Sequence, residues 1–224
     1  TGGGDSFTIR GVNYTFEDSV LNSTNSNALT IRHSNNSIIR GVTGHTQAGG
    51  LGTRGIFVIS ELNNTLLSRL VGMANSSAAA TFGIEIFSSG GPFIWDNNTI
   101  EHIRGISANS SGVELSGSLQ NQTLVNVTGI STSVSGLGID FGNVRNVSIR
   151  NGTAMSNSSN TAEGAVVFGT SARNSSLDNV RIHANFTWIE VGQRDNNISN
   201  TTFVHPVAEL FIPALASLSQ GDVN

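Results

Sequence analysis

The chain has 224 residues, of which only 12% are charged, and carries a formal net charge of −4. It contains no cysteine and no lysine, which excludes a disulfide scaffold, a thiolate metal site and a cysteine nucleophile. There is no basic field for nucleic acid or an anionic membrane, and no run of about 20 apolar residues that could span a bilayer.

The chain compensates for its low charge with amides and hydroxyls: 26 Asn and 50 Ser plus Thr stand among the 26 Gly. Val, Ile, Leu and Phe recur throughout, so a core is expected rather than disorder. The start, Thr1-Gly2-Gly3-Gly4, reads as the mature end left by signal-peptide removal. Residues 1–27 are expected to form a degenerate first coil of a repeat.

From Ala28 a unit of small residue, apolar, variable, apolar recurs. It reads Ala28-Leu29-Thr30-Ile31, Gly55-Ile56-Phe57-Val58, Gly83-Ile84-Glu85-Ile86 and Gly112-Val113-Glu114-Leu115, then Gly138-Ile139-Asp140-Phe141 and Gly164-Ala165-Val166-Val167. Trp188-Ile189-Glu190-Val191 is a looser copy. Successive starts lie 26 to 29 residues apart. A second signal follows each unit: Asn36-Ser37-Ile38, Asn64-Thr65-Leu66, Asn98-Thr99-Ile100, Gln122-Thr123-Leu124, Val147-Ser148-Ile149 and Ser175-Ser176-Leu177. Gly105-Ile106 and Gly129-Ile130 fit a third short strand. Asn126, Asn151 and Asn179 each lie three residues past the Ser/Thr position and are expected to stack at one corner.

Period-two alternation with β-branched residues marks these units as strands. Helical repeats, leucine-rich repeats and propeller blades have other signatures or longer periods. The expected fold is therefore all-β: a right-handed, single-stranded parallel β-helix of about 7–8 coils of ~26–29 residues, spanning 1–203. Residues 204–224 form a tail, cap or docking segment. The pattern resembles the pectin-lyase-like and NosD-like parallel β-helix superfamily, whose coils read Gly-Ile-x-Ile followed by Asn-Asn-Thr-Ile. That superfamily holds lyases, hydrolases, binding proteins and shafts, so the resemblance implies a fold and leaves function open.

Asn-x-Ser/Thr triplets occur 16 times, against about 6 expected by chance from the composition. Fourteen are read as N-glycosylation sites: Asn13, Asn22, Asn35, Asn63, Asn75, Asn97, Asn109, Asn121, Asn146, Asn157, Asn174, Asn185, Asn197 and Asn200. The other two, Asn126 and Asn151, are assigned to the corner stack. Abundant sequons without cysteine point to an extracellular, cell-surface protein, and among sources to an archaeal one.

One column could carry chemistry. The middle residue of each first strand is expected to point outward. Down the coils that position reads Thr30, Phe57, Glu85, Glu114, Asp140, Val166 and Glu190. Glu85, Glu114 and Asp140 on consecutive coils would suit a cation such as Ca²⁺ or a glycan. The Asn-Thr-Asp, Gly-His-Gly and Arg-Ile-Lys motifs of polygalacturonases are absent, so no catalytic residue is assigned. Gly50-Leu51-Gly52-Thr53-Arg54-Gly55 imitates a dinucleotide fingerprint but precedes a strand, where that motif needs a helix. The five His lack metal-ligand spacing, and Trp95 and Trp188 suit a core or edge better than a sugar platform. No metal or cofactor is assigned.

The leading expectation is a non-enzymatic structural glycoprotein that self-assembles end to end or laterally into a sheath, surface layer or filament. Leu210, Phe211, Ile212 and Leu215 are the expected assembly residues. A polysaccharide-binding or polysaccharide-cleaving β-helix using the Glu85–Glu114–Asp140 face is the alternative. An adhesin or shaft associating side by side is a third.

Overall fold

The repeating units become columns of stacked strands. The computed structural model describes residues 6–47, 51–76, 80–89, 95–157, 165–169, 171–184, 189–191 and 195–204. In chain order the first strands are β1 (Thr8–Val12), β2 (Thr15–Glu17), β3 (Val20–Ser23), β4 (Leu29–Asn35), β5 (Ile38–Arg40) and β6 (Thr43–Thr46). Next come β7 (Arg54–Asn63), β8 (Leu66–Ala74), β9 (Phe82–Ser88), β10 (Trp95–Asp96), β11 (Thr99–Ser107), β12 (Val113–Gly117) and β13 (Leu119–Ser131). The series ends with β14 (Ile139–Phe141), β15 (Val144–Ser156), β16 (Val166–Phe168), β17 (Ser176–Ala184), β18 (Ile189–Val191), β19 (Asn197–Ser199) and β20 (Thr202–Phe203).

One sheet runs β1-β4-β7-β9-β12-β14-β16-β18 and the other β2-β5-β8-β11-β13-β15-β17-β19, with β3 and β6 stacked beside β8. Neighbouring strands are parallel throughout. The chain is thus a parallel β-solenoid, with no helix among the described residues. It makes about six turns, slightly fewer than the expected 7–8.

The core follows from the register. One inward column is Leu29, Ile56, Ile84, Val113, Ile139 and Val166. Two residues on, a second column is Ile9, Ile31, Val58, Ile86, Leu115, Phe141 and Phe168. Phe141 and Phe168 stack with ring centroids 4.5 Å apart. The facing sheet supplies Ile39, Leu67, Ile100, Leu124, Ile149 and Leu177, all buried.

Two glycine columns close the coil. Gly44, Gly72, Gly105 and Gly129 stack in one; in the other, Gly55 and Gly83 are the second residues of β7 and β9, and Gly112 and Gly138 directly precede β12 and β14. A Cβ on Gly105 would lie 1.9 Å from the Gly112 carbonyl oxygen, and one on Gly72 would lie 2.1 Å from that of Gly83. The same contact recurs between Gly129 and Gly138 at 2.0 Å and between Gly44 and Gly55 at 2.3 Å. Here the two sheets touch backbone to backbone, and any side chain would force them apart.

The other two corners are columns of left-handed residues. The first is Asn13, Asn36, Asn64, Asn97, Asn121, Asn146, Asn174 and Asp195, with φ between 47° and 71°. The second is Asp18, Gly41, Arg69, His102, Asn126, Asn151, Asn179 and Asn200, with φ between 46° and 64°. Each second-corner residue follows its first-corner partner by five positions in every coil. Asn and Asp tolerate this backbone because their short side chains bond locally. The expected stack of Asn126, Asn151 and Asn179 lies in the second column, where the Asn179 amide donates to the Asn151 carbonyl at 2.8 Å. The first column carries the same bond from Asn146 to Asn121 at 2.9 Å.

Two expectations of register need correction. Ile38 pairs with Leu66 and Leu66 with Thr99, so Asn36 and Asn64 align with Asn97 rather than Asn98. Ile39 and Leu67 then face inward, and Ile38 is exposed. In the first sheet, Ile139 pairs with Val166 and Asp140 with Val167, so Val167 takes the place expected for Val166.

The glycine contact makes a sharp stability prediction. Gly105→Ala should cost about 2–3 kcal/mol of overpacking. Gly142→Ala, where the nearest atom to an added Cβ is 3.4 Å away, should stay within about 0.5 kcal/mol. Urea midpoints of the two variants decide it; equal midpoints would refute the closure.

Candidate functional site

The acidic column forms as expected: Phe57 pairs with Glu85, Glu85 with Glu114, and Glu114 with Asp140. Adjacent strands place successive members at the ~4.8 Å spacing of a sheet. Its surroundings differ from the expected outward, solvated ladder. Thr30 is 0% and Glu85 only 4% exposed, while Glu114 and Asp140 are half-buried.

Glu85 is covered because neighbouring strands lean over it. Arg54, at the start of β7, donates Nε–H to Glu85 Oε2, and Ser116 of β12 donates its hydroxyl to Glu85 Oε1 at 3.0 Å. The Arg54 guanidinium lies 4.5 Å from the Phe57 ring centroid and 5.3 Å from that of Phe82. Phe57 and Phe87 add a tilted aromatic pair at 6.3 Å. A buried carboxylate is tolerated only when paired and hydrogen-bonded in this way.

Among the described residues no ion pair joins Glu114 to a cation. Burial, and then the nearby Asp140 and Glu85 carboxylates, push its carboxyl up to about 8, against the weaker opposing pull of Arg54 and Ser116. The column thus sets the Arg54-bonded Glu85, a Glu114 carboxyl driven toward its neutral form, and Asp140 on neighbouring strands; a neutral carboxyl can donate a proton, as a general acid does.

Several features limit what the column can hold. Among the described residues, no group of three or more His, Asp or Glu side chains stands where it could hold a metal ion. A depression of about 170 Å³ lined by Ser118, Gln120, Asn143 and Arg145 lies elsewhere and includes none of the three acids. Trp95 is buried and donates its indole N–H to the Ser60 carbonyl, so it is a core residue. His33 sits 3.8 Å from Glu61, and His102 occupies a corner beside Asn126.

The sequons map onto the coil corners. Asn13, Asn97, Asn121, Asn146 and Asn174 are first-corner residues, with Asn35 and Asn63 just before that corner and Asn197 just after. Asn126, Asn151 and Asn200 occupy the second corner. Asn22, Asn75, Asn109 and Asn157 lie around the third. None of these fifteen is buried, and eleven are exposed, whereas Asn196, outside any sequon, is buried and donates to the Ala172 carbonyl. The strands carrying Glu85, Glu114 and Asp140 hold no sequon. Asn185, Trp188, His205, Leu210, Phe211, Ile212 and Leu215 lie outside the described residues.

The sequence signals missed the first-corner column and the partners of Glu85. Both depend on register, which local motifs do not specify. Comparison with protein-family models, curated proteins and solved structures finds no match. The class that the fold defines is a parallel β-solenoid with Asn-x-Ser/Thr triplets around its corners and one partly buried acidic column.

Glu114 gives that column a measurable signature. Its folded value near 8 exceeds its ordinary 4.5, so between those limits the folded state keeps a proton that the unfolded state releases. Wild-type stability should therefore fall as pH rises through this window. Glu114→Gln, which cannot titrate, should lose less over the same range. Urea midpoints at pH 5, 7 and 9 test this; parallel pH dependence in the two proteins would refute a neutral Glu114.

Proposed function

We propose that this is a structural, N-glycosylated protein of the cell surface whose solenoid assembles into an extracellular sheath, surface layer or filament. The observation that carries the reading is the placement of the sequons. They surround all three corners, and no described sequon asparagine is buried. A glycan needs an accessible asparagine; the corners present one in coil after coil, while the amide nitrogens of Asn126, Asn146 and Asn200 also bond to the neighbouring coil. A rod coated in this way presents carbohydrate on most sides, which suits an envelope component better than an enzyme built around a cleft.

The body fits the same role. It contains no cysteine or lysine, and its corners are held by amide and hydroxyl bonds rather than ion pairs. Low charge with abundant sequons and no disulfides favours an archaeal source. Within the β-helix class, the coil wording Gly-Ile-x-Ile and Asn-Asn-Thr-Ile resembles that of the pectin-lyase-like and NosD-like solenoids.

Peptide mapping of native material should find glycans at several third-corner sequons, Asn75, Asn109 and Asn157 among them. The same material should be polymeric in isolated cell envelopes. Unmodified peptides at every site, or a protein that stays monomeric at high concentration, would defeat the proposal.

A second reading has its own observation. The strands carrying Glu85, Glu114 and Asp140 hold no sequon, and burial pushes the Glu114 carboxyl up to about 8 between the other two acidic residues. On this reading the bare face binds or cleaves a polysaccharide, with Glu114 as the acid and Asp140 as its carboxylate partner. Glu114→Gln combined with Asp140→Asn spares the Glu85–Arg54 pair and should abolish binding or turnover of soluble polysaccharides. Unchanged binding in that variant would remove the reading.

A further inference from the structure

We infer that Asn151 is an acceptor site for an N-linked glycan, and that the side-chain bonds of the corner ladders decide which corner sequons take sugar. The inference rests on the glycoprotein reading above and specifies its sites.

A glycan joins asparagine through the side-chain nitrogen Nδ2. In the transfer, that nitrogen bonds to the anomeric carbon of a sugar activated as a phosphate ester. The bond from that carbon to the phosphate oxygen breaks, and the phosphate leaves with its electron pair. The nitrogen gives up one proton to a base of the transferase. An Nδ2 that already donates to the next coil must first break that bond to enter the reaction. An amide held only through its oxygen keeps its nitrogen free.

The two corner ladders contain both kinds. In the first corner Asn146 donates Nδ2–H to Asn121 Oδ1 at 2.9 Å. In the second, Asn179 donates to Asn151 Oδ1 at 2.8 Å, and Asn200 donates to Asp178 Oδ1 at 2.8 Å. Asn126 makes a longer contact of 3.4 Å with the His102 ring. Asn121 and Asn151 are thus ladder acceptors. The neighbouring coil holds the oxygen of each, and no described residue takes a hydrogen bond from either nitrogen.

That arrangement also aims the nitrogen. An amide carries its oxygen and nitrogen on opposite sides of one carbon, so holding Oδ1 toward the next coil turns Nδ2 away from it. Both residues are exposed, and each heads an Asn-x-Thr triplet, Asn121-Gln122-Thr123 and Asn151-Gly152-Thr153. Asn151 can therefore serve the stack and the glycan together: its oxygen keeps the corner bond while its nitrogen carries the sugar. Asn146 and Asn200 cannot divide the two tasks in this way, because the ladder uses their nitrogens.

Site occupancy in native material, read by mass spectrometry of its peptides, tests the inference. Asn121 and Asn151 should be occupied about five- to tenfold more often than Asn146 and Asn200, the factor that one hydrogen bond carries. Asn121→Gly, expressed in the native host, removes the acceptor of the Asn146 amide. Glycine keeps the left-handed corner, as Gly41 shows. Occupancy at Asn146 should then rise to that of Asn174, the next first-corner sequon, whose amide makes no ladder bond among the described residues. Equal occupancy at Asn146 and Asn151 in the wild type, the pattern left when sugar is added before the corners stack, would overturn the inference. So would a bare Asn151 beside occupied third-corner sites, or an Asn146 unchanged in the variant; glycosylation itself would stand in each case. Peptides without sugar at every site would overturn the glycoprotein reading and this inference with it.

Discussion

The structure depends on one close approach. Where the third side of each coil returns to the first, two glycines pass with carbonyl oxygens so near that no Cβ fits between them. This contact sets the width of the coil at its narrowest point, and the rest of the cross-section follows from it. Leu29 and Ile31, with their equivalents on later coils, fill the space that widens away from the glycines. Toward the last coils Ala154 and Ala165 replace the glycines, and the stacked Phe141 and Phe168 occupy the core there. A side chain at a central glycine would therefore disturb the two sheets of that coil as well as the coils beside it.

The corners solve a different problem. A chain that turns twice in five residues must place a left-handed residue at each bend, which costs most side chains about 1–2 kcal/mol. Asn and Asp reduce that cost locally, and when stacked they also bond from coil to coil. Sixteen corner positions use Asn or Asp in all but three cases, Gly41, Arg69 and His102. The composition follows from this geometry, since the turns themselves call for asparagine. Sequons arise readily on such a scaffold because the residues after the first corner are polar and often Ser or Thr. Selection for glycans and selection for the turn thus act on the same positions, and the third-corner sequons are the ones the two corner columns do not require.

The sequence carried the period, the strand character and the membership of the acidic column. These depend on local patterns such as Gly83-Ile84-Glu85-Ile86 that repeat at a steady interval. It did not carry the phase of the second sheet. The distance from the first-strand middle to the first corner varies, from Thr30 to Asn36 and from Glu85 to Asn97, because bulges and inserts lie between them. Aligning Asn36 with Asn98 therefore slipped by one residue, and such a slip exchanges inward and outward faces. The constant element is the five-residue step between the two left-handed corners, which appears in the sequence only as loosely spaced Asn. Burial of Glu85 was hidden for a similar reason. Its cover comes from Arg54, Phe82 and Ser116, distant in sequence and adjacent only once the register is fixed.

The acidic column belongs to the same account of the molecule. The scaffold tolerates the buried Glu85 because Arg54 answers it, and burial drives the Glu114 carboxyl toward its neutral form. Electron cryomicroscopy of assembled full-length protein tests this account most directly. It predicts rungs about 4.8 Å apart stacked along the solenoid axis, narrowest at the paired glycines. Strands running along the axis, or a cross-section of even width at the glycines, would contradict it.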